Sequence, residues 1–158
     1  MSETRHITPH DLPLIGQLAE VKGAISDELF AQLAEVGFTD IRPAHGCVFG
    51  HIDEDGARLT ALAERAGLTK QAVGEAVADL ERLGYVERVP DPEDGRAKII
   101  KPTDRGVAAT AAAAKIFADM ERRFAAEVGE KRFKEFRETL RRLYHLTRSS
   151  ARPPARAA

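Results

Sequence analysis

The sequence predicts a mainly α-helical protein with a small β wing: a winged helix-turn-helix flanked by long dimerisation helices. Three observations predict it. Apolar residues recur at helical spacing over most of the chain. Two short helical patterns are separated only by Gly67-Leu68. After the second, at Gly84, the apolar period drops to two.

Residues 1–10 are polar and are expected to be flexible. From Asp11 to about Phe38, the spacing of Leu14, Leu18, Val21, Ile25, Leu29 and Leu33 predicts a long amphipathic helix. Pro13 suits its first turn and Gly37 its stop. Arg42 to Asp53 reads as a second helix, with Ala44, Cys47, Val48 and Ile52 on its apolar side. Residues 11–57 thus supply N-terminal helices for dimerisation and for the link to the lobe that follows.

Residues 58–103 form that lobe. Arg58 to Thr60 reads as a short strand set to pair with the wing. Leu59, Leu62, Ala63 and Ala66 mark a helix ending at Gly67. Thr69 occupies the N-cap of the next helix, and Gly84 the left-handed position past its end. Val73, Val77, Leu80 and Leu83 define its buried stripe, on a rod of roughly 22 Å. The opposite face opens with Lys70, Gln71, Gly74, Glu75 and Ala78, which are polar or small. Tyr85, Val86 and Val89 read as one strand, and Ile99 with Ile100 as another. The segment DPEDGRAK between them, residues 91–98, carries the turn-forming pairs Asp-Pro and Asp-Gly.

Residues 104–148 are read as C-terminal dimerisation helices. Pro102 and Thr103 mark the start of a helix to about Val128, whose centre (Ala108, Ala109, Ala111 to Ala114) has high helix propensity. Ile116, Phe117, Met120 and Phe124 give it an apolar stripe. Gly129 breaks it. Phe133, Phe136, Leu140, Leu143 and Tyr144 then mark a last helix to about Arg148. The tail, residues 149–158, is rich in Pro and Ala and is expected to be disordered. A small lobe cannot cover all the flanking stripes, so a homodimer with an isologous helical interface is the economical solution.

Composition narrows the function. Apolar residues at 43% support a real core, and the absence of Trp leaves its packing to Leu, Val, Ile and Ala. No apolar run approaches the roughly 18 residues of a membrane span, and the N-terminus does not read as a signal peptide, so the cytoplasm is the expected location. A single cysteine, Cys47, excludes an internal disulfide and a multi-cysteine zinc site. No cofactor or metal site is expected. There is no phosphate-binding glycine loop, nucleophile elbow or HExxH, hence no catalytic residue to name and no enzyme to expect. Net charge is −1, and its distribution is uneven. Residues 1–57 hold three Lys or Arg against ten Asp or Glu, residues 115–158 twelve against six, and residues 58–103 eight against eight. Any anionic partner must therefore be met by a few placed cations rather than a broad basic field.

Residues 62–106, LAERAGLTKQAVGEAVADLERLGYVERVPDPEDGRAKIIKPTDRG, carry a more specific pattern. Leu80-Glu81 is followed by Gly84-Tyr85-Val86, then by Asp91-Pro92 and Asp94-Gly95-Arg96. The chain resembles the MarR (multiple antibiotic resistance regulator) family of bacterial transcription factors. The family's usual wing, D-P-x-D-x-R, is matched by Asp91, Pro92, Asp94 and Arg96. Its usual Leu-Thr before the next helix is Pro102-Thr103 here. With the flanking helices, the likeness covers about residues 12–148.

The resemblance implies a sequence-specific double-stranded-DNA-binding regulator. It would act as a homodimer on a pseudo-palindromic operator, as a repressor released by a small aromatic or phenolic effector. Half-sites would lie about one helical turn apart, roughly 34–36 Å. Helix 69–83 would enter the major groove, and Arg96 the flanking minor groove, with Lys98 near a phosphate. Side-chain chemistry fits: Gln71 pairs with adenine, Lys70 with guanine or phosphate, and Glu75 accepts from a cytosine amine. Thr69 caps the helix, and Gly74 permits close approach. Each has a plainer reading, as a capped helix with solvated polar residues, or as a surface Arg96 paired with Asp94. The family often has Ser or Thr and then Arg where this chain has Gly74-Glu75, which removes an expected cation. By analogy, His45, Phe49 and Ile52, with His51 nearby, are the candidate effector-binding residues; satisfied or exposed histidines are the plainer reading. Cys47 lies on an apolar side without an adjacent Lys or Arg, which favours packing over redox sensing. The alternative function is a winged-helix protein-interaction module with weak or no DNA binding.

Overall fold

The computed structural model describes residues 12–150; the expected flexible N-terminus, and the expected tail from residue 151 on, lie outside them. Helix α1 (Leu14–Glu35) is followed by a 3-10 turn (Pro43–His45) and the single turn of α2 (Gly46–Phe49). Strand β1 (Ala57–Arg58), α3 (Leu59–Ala66), α4 (Lys70–Arg82), β2 (Val86–Pro90) and β3 (Lys98–Pro102) build the winged helix. Helices α5 (Asp104–Val128) and α6 (Glu130–Ser150) complete the chain. The molecule is therefore mainly helical, with a three-stranded antiparallel sheet in the order β1-β3-β2.

Two expected elements differ. The helix over Arg42 to Asp53 is only the 3-10 turn and α2. Gly46 and Gly50 bracket α2, and each glycine costs about 1 kcal/mol of helix propensity, so the helix does not propagate. The strand expected over Arg58 to Thr60 shifts back to Ala57–Arg58, because Arg58 is already the N-cap of α3.

The chain divides within α5 into two compact units, one ending at Ile116 and one beginning at Phe117. In the first unit, Val48, Leu62, Val73, Val77, Leu80 and Tyr85 are fully buried. Each buried aliphatic side chain contributes about 1.5–3 kcal/mol, so α4 is held by its whole inner stripe. Ile100 of β3 pairs with Ala57 on one side and Arg88 on the other, and its side chain closes the core from the sheet. The far half of α1 behaves differently. Leu29 and Leu33 are buried, whereas Leu14 and Val21 of the same stripe are exposed and Ile15 is 75% exposed. In the second unit, Met120 and Ala125 are buried, the Phe124 and Phe133 rings lie 6.5 Å apart, and Arg137 donates to Glu121 at 2.7 Å. Phe136 and Leu146 of α6 are exposed.

Candidate nucleic-acid interface

The helix that faces outward from the lobe begins with its cap. Thr69 has extended backbone angles, and its Oγ1 accepts from the Ala72 amide at 3.2 Å. Lys70 and Gln71 stand exposed in the first turn, where no acidic residue is present. A cation there opposes the helix dipole, so local helix stability does not explain Lys70. Gln71 Nε2 donates to Glu75 Oε1 at 3.2 Å, one turn on. Gly74 between them is half-buried; a Cβ there would meet Leu59 Cδ2 at 3.8 Å, an ordinary contact. The flat spot at Gly74 is thus not forced by packing beneath it.

The wing is built by its own carboxylates. Asp91 is 4% exposed; its Oδ2 accepts from Arg58 Nε at 2.5 Å and its Oδ1 from the Glu93 amide at 2.9 Å. These bonds, that of Arg58 foremost, hold the Asp91 carboxyl below its ordinary pKa. Asp94 Oδ1 accepts from the Arg96 amide at 3.1 Å, and the Asp94 carbonyl from the Ala97 amide at 2.8 Å. The D-P-x-D-x-R pattern therefore has a local reason. Its acidic members close the turn on backbone amides and on Arg58, and the arginine side chain is left outside.

Charge pairing separates Arg96 from its neighbours. Arg42 and Arg82 both hold Asp79; Arg58 holds Asp91, Arg65 holds Asp53, Arg88 holds Glu81 and Arg105 holds Asp40. Among the described residues, Arg96 makes no ion pair, with Asp94 or any other carboxylate. Nor do Lys70, Lys98 or Lys101, and all four are exposed.

His45, Phe49 and Ile52 lie elsewhere. His45 is 1% exposed: its Nδ1 accepts from the Arg42 amide at 3.1 Å, and its Nε2 lies 2.9 Å from Asp79 Oδ2. Phe49 packs edge-on against Tyr85, with centroids 5.7 Å apart, and Ile52 packs on the core. His51 offers its carbonyl to Arg65 at 2.8 Å. Cys47 is half-buried, its thiol donates to the Ala44 carbonyl at 3.1 Å, and burial pushes its pKa up, away from a reactive thiolate. Sequence reasoning missed Asp40, Asp79 and Arg105. The contacts His45–Asp79, Tyr85–Asp40 and Arg105–Asp40 span 34 to 65 positions, and no local pattern announces them.

Residues 39–97 match the family model described as MarR family. Over those residues the chain is similar to the MarR family. Solved MarR-family structures agree in fold. A crystal structure of MarR is 25% identical, covering 86% of this chain and 98% of its own, with a TM-score of 0.71. The transcriptional repressor CouR bound to a 23-mer DNA duplex is 23% identical, covering 90% and 99%, also at 0.71. MepR of S. aureus bound to ethidium bromide is 20% identical, covering 87% and 99%, at 0.57. No curated protein matches the sequence. Among the described residues, no helix is long and apolar enough to cross a membrane.

Proposed function

We propose that this chain is a MarR-type regulator that binds double-stranded DNA sequence-specifically as a cytoplasmic homodimer and represses transcription from a pseudo-palindromic operator. One observation carries the reading. Among the described residues, every arginine from Arg42 to Arg105 is tied to a carboxylate except Arg96 at the wing tip, and Lys70 opens α4 without an ion pair. Placed cations of this kind are what a lobe with balanced charge needs in order to hold phosphates and groove edges. In this reading α4 enters the major groove, with Lys70, Gln71 and Glu75 at base edges and Gly74 allowing close approach. Arg96 enters the minor groove, with Lys98 on the backbone beside it.

The exposed Leu14, Ile15 and Val21 of α1, and Phe136 and Leu146 of α6, support a second copy as the cover for these faces. Repression draws support from CouR, a repressor bound to DNA. An aromatic or phenolic effector draws support from MepR, bound to ethidium bromide. At His45, Phe49 and Ile52, such a ligand would have to separate Phe49 from Tyr85. It would then act by favouring the lobe arrangement that does not fit DNA. The chain has no enzymatic role in this reading.

The test is a salt titration of the purified protein with random duplex and with duplex selected by the protein itself. Expected is a linear fall of log K with log salt, by about 0.9 for each phosphate neutralised, and tighter binding of the selected duplex. Absence of binding at the lowest salt would favour the second reading, an interaction module. The exposed Glu75 on the face of α4 favours that reading, since a carboxylate there repels phosphate.

A further inference from the structure

The end of α4 and the start of α5 are bolted together around one ring. Tyr85 is fully buried, and its hydroxyl donates to Asp40. Arg105, in the first turn of α5, lies over the same ring, its guanidinium carbon 4.2 Å from the centroid. Arg105 donates to both Asp40 oxygens, at 2.9 and 3.1 Å, and also to the Leu83 carbonyl at the C-cap of α4. Beside it, the Thr103 amide donates to the Tyr85 carbonyl at 3.0 Å and the Thr103 hydroxyl to the Gly84 carbonyl at 2.6 Å. From Asp104, α5 runs unbroken to Val128.

We infer that Asp40 and Arg105 are positioning residues that fix the angle between α4 and α5, and through it the half-site spacing the dimer accepts. The inference rests on the homodimer reading above. A helix end leaves carbonyls without partners, and a cation there matches the dipole, so Arg105 both satisfies and orients the end of α4. An arginine fork on a carboxylate fixes direction as well as distance, and stacking on Tyr85 removes the remaining freedom. The lever is long enough to matter. The thirteen residues of α4 span about 20 Å, so a tilt of roughly 10° at this joint moves the far end by about one base-pair step. Lysine at position 105 keeps the charge but loses the fork and the stack.

The test uses the full chain and a palindrome that the wild-type protein selects from random duplex. The centre is then lengthened or shortened by one and two base pairs, and an isolated half-site is measured alongside. Wild type is expected to lose about tenfold for a one-pair change, comparable to a mismatched base pair. Arg105→Lys and Asp40→Asn are expected to bind the isolated half-site as wild type does. Their preference for the best spacing should shrink to within about threefold. Asp40→Glu, which keeps the carboxylate, should retain most of that preference. Variants that weaken half-site and palindrome by the same factor, with the spacing profile intact, would overturn the inference. If Asp40→Asn does not fold, Arg105→Lys decides alone. A wild-type protein that is monomeric, or indifferent to spacing, overturns the dimer reading instead, and does so before any variant is compared.

Discussion

His45 Nε2 lies 2.9 Å from Asp79 Oδ2, which ties the 3-10 turn to the C-terminal half of α4. The Arg42 amide donates to Nδ1, so Nε2 carries the ring proton and donates to the carboxylate. Arg82 and Arg42 also donate to Asp79. A loop, a buried imidazole and a surface helix are thereby joined through one carboxylate.

That carboxylate sets an acid response. The hydrogen bond from His45, and next that from Arg82, lower the Asp79 pKa from 3.8 to about 2. A depressed carboxylate stabilises the fold fully above its unfolded pKa, and that contribution is lost as pH falls through the folded one. Wild type should therefore lose stability between about pH 4 and pH 2 more steeply than Asp79→Asn, compared by urea denaturation across that window. His45→Ala removes the buried ring itself and should cost about 2–3 kcal/mol at pH 7.

Two glycines should respond with opposite signs. At Gly106 an added Cβ would lie 2.1 Å from the Tyr85 carbonyl oxygen, and the nearby backbone cannot yield. Gly106→Ala should destabilise by about 3 kcal/mol or more. At Gly74 the nearest atom is Leu59 Cδ2 at 3.8 Å, so Gly74→Ala should stabilise by up to about 1 kcal/mol through helix propensity. Thermal melts of the two variants check the signs. A loss of DNA affinity in the more stable Gly74→Ala would identify close approach as the reason for the glycine.

Tyr85 should titrate late. Burial first, and then its hydrogen bond to Asp40, raise its pKa from 10.0 to about 12. A raised group stabilises fully below the unfolded pKa and less as pH climbs through the folded one, so this contribution fades between pH 10 and 12. Tyrosinate absorbance of a Tyr144→Phe protein isolates the Tyr85 signal. Its appearance near pH 10 in the folded protein would contradict the burial.

Arg96→Ala and Lys70→Ala remove exposed cations without ion pairs, so each should leave stability within about 0.5 kcal/mol of wild type. If Arg96 and Lys70 meet phosphates, each should also make the salt dependence of DNA binding shallower by about one phosphate. Arg58→Ala should instead loosen the wing, because it strips the buried Asp91 of its charged partner. Its expected signature is lower protection of the 91–98 amides from hydrogen exchange.

Elements with signals inside a few residues are legible from the chain. Thr69 caps α4, Gly84 stands past its end at φ +77°, and the stripe Val73, Val77 and Leu80 is buried. The wing motif is also legible as a pattern, but its division of labour is not. Only the folded hairpin separates Asp91 and Asp94, which hold backbone and Arg58, from the Arg96 side chain, which pairs with no carboxylate among the described residues.

By itself, then, the sequence determined the order of helices, the position of the wing, and the exposed face of α4. Caps, turn residues and apolar periods act over one or two turns of chain, and those are local physics. Tertiary structure alone decided that His45 belongs to Asp79 instead of an open surface, and that Arg105 reaches back to Asp40 and Leu83. Such pairings depend on which distant segments the buried core brings together, and nothing in the spacing of residues along the chain encodes that meeting.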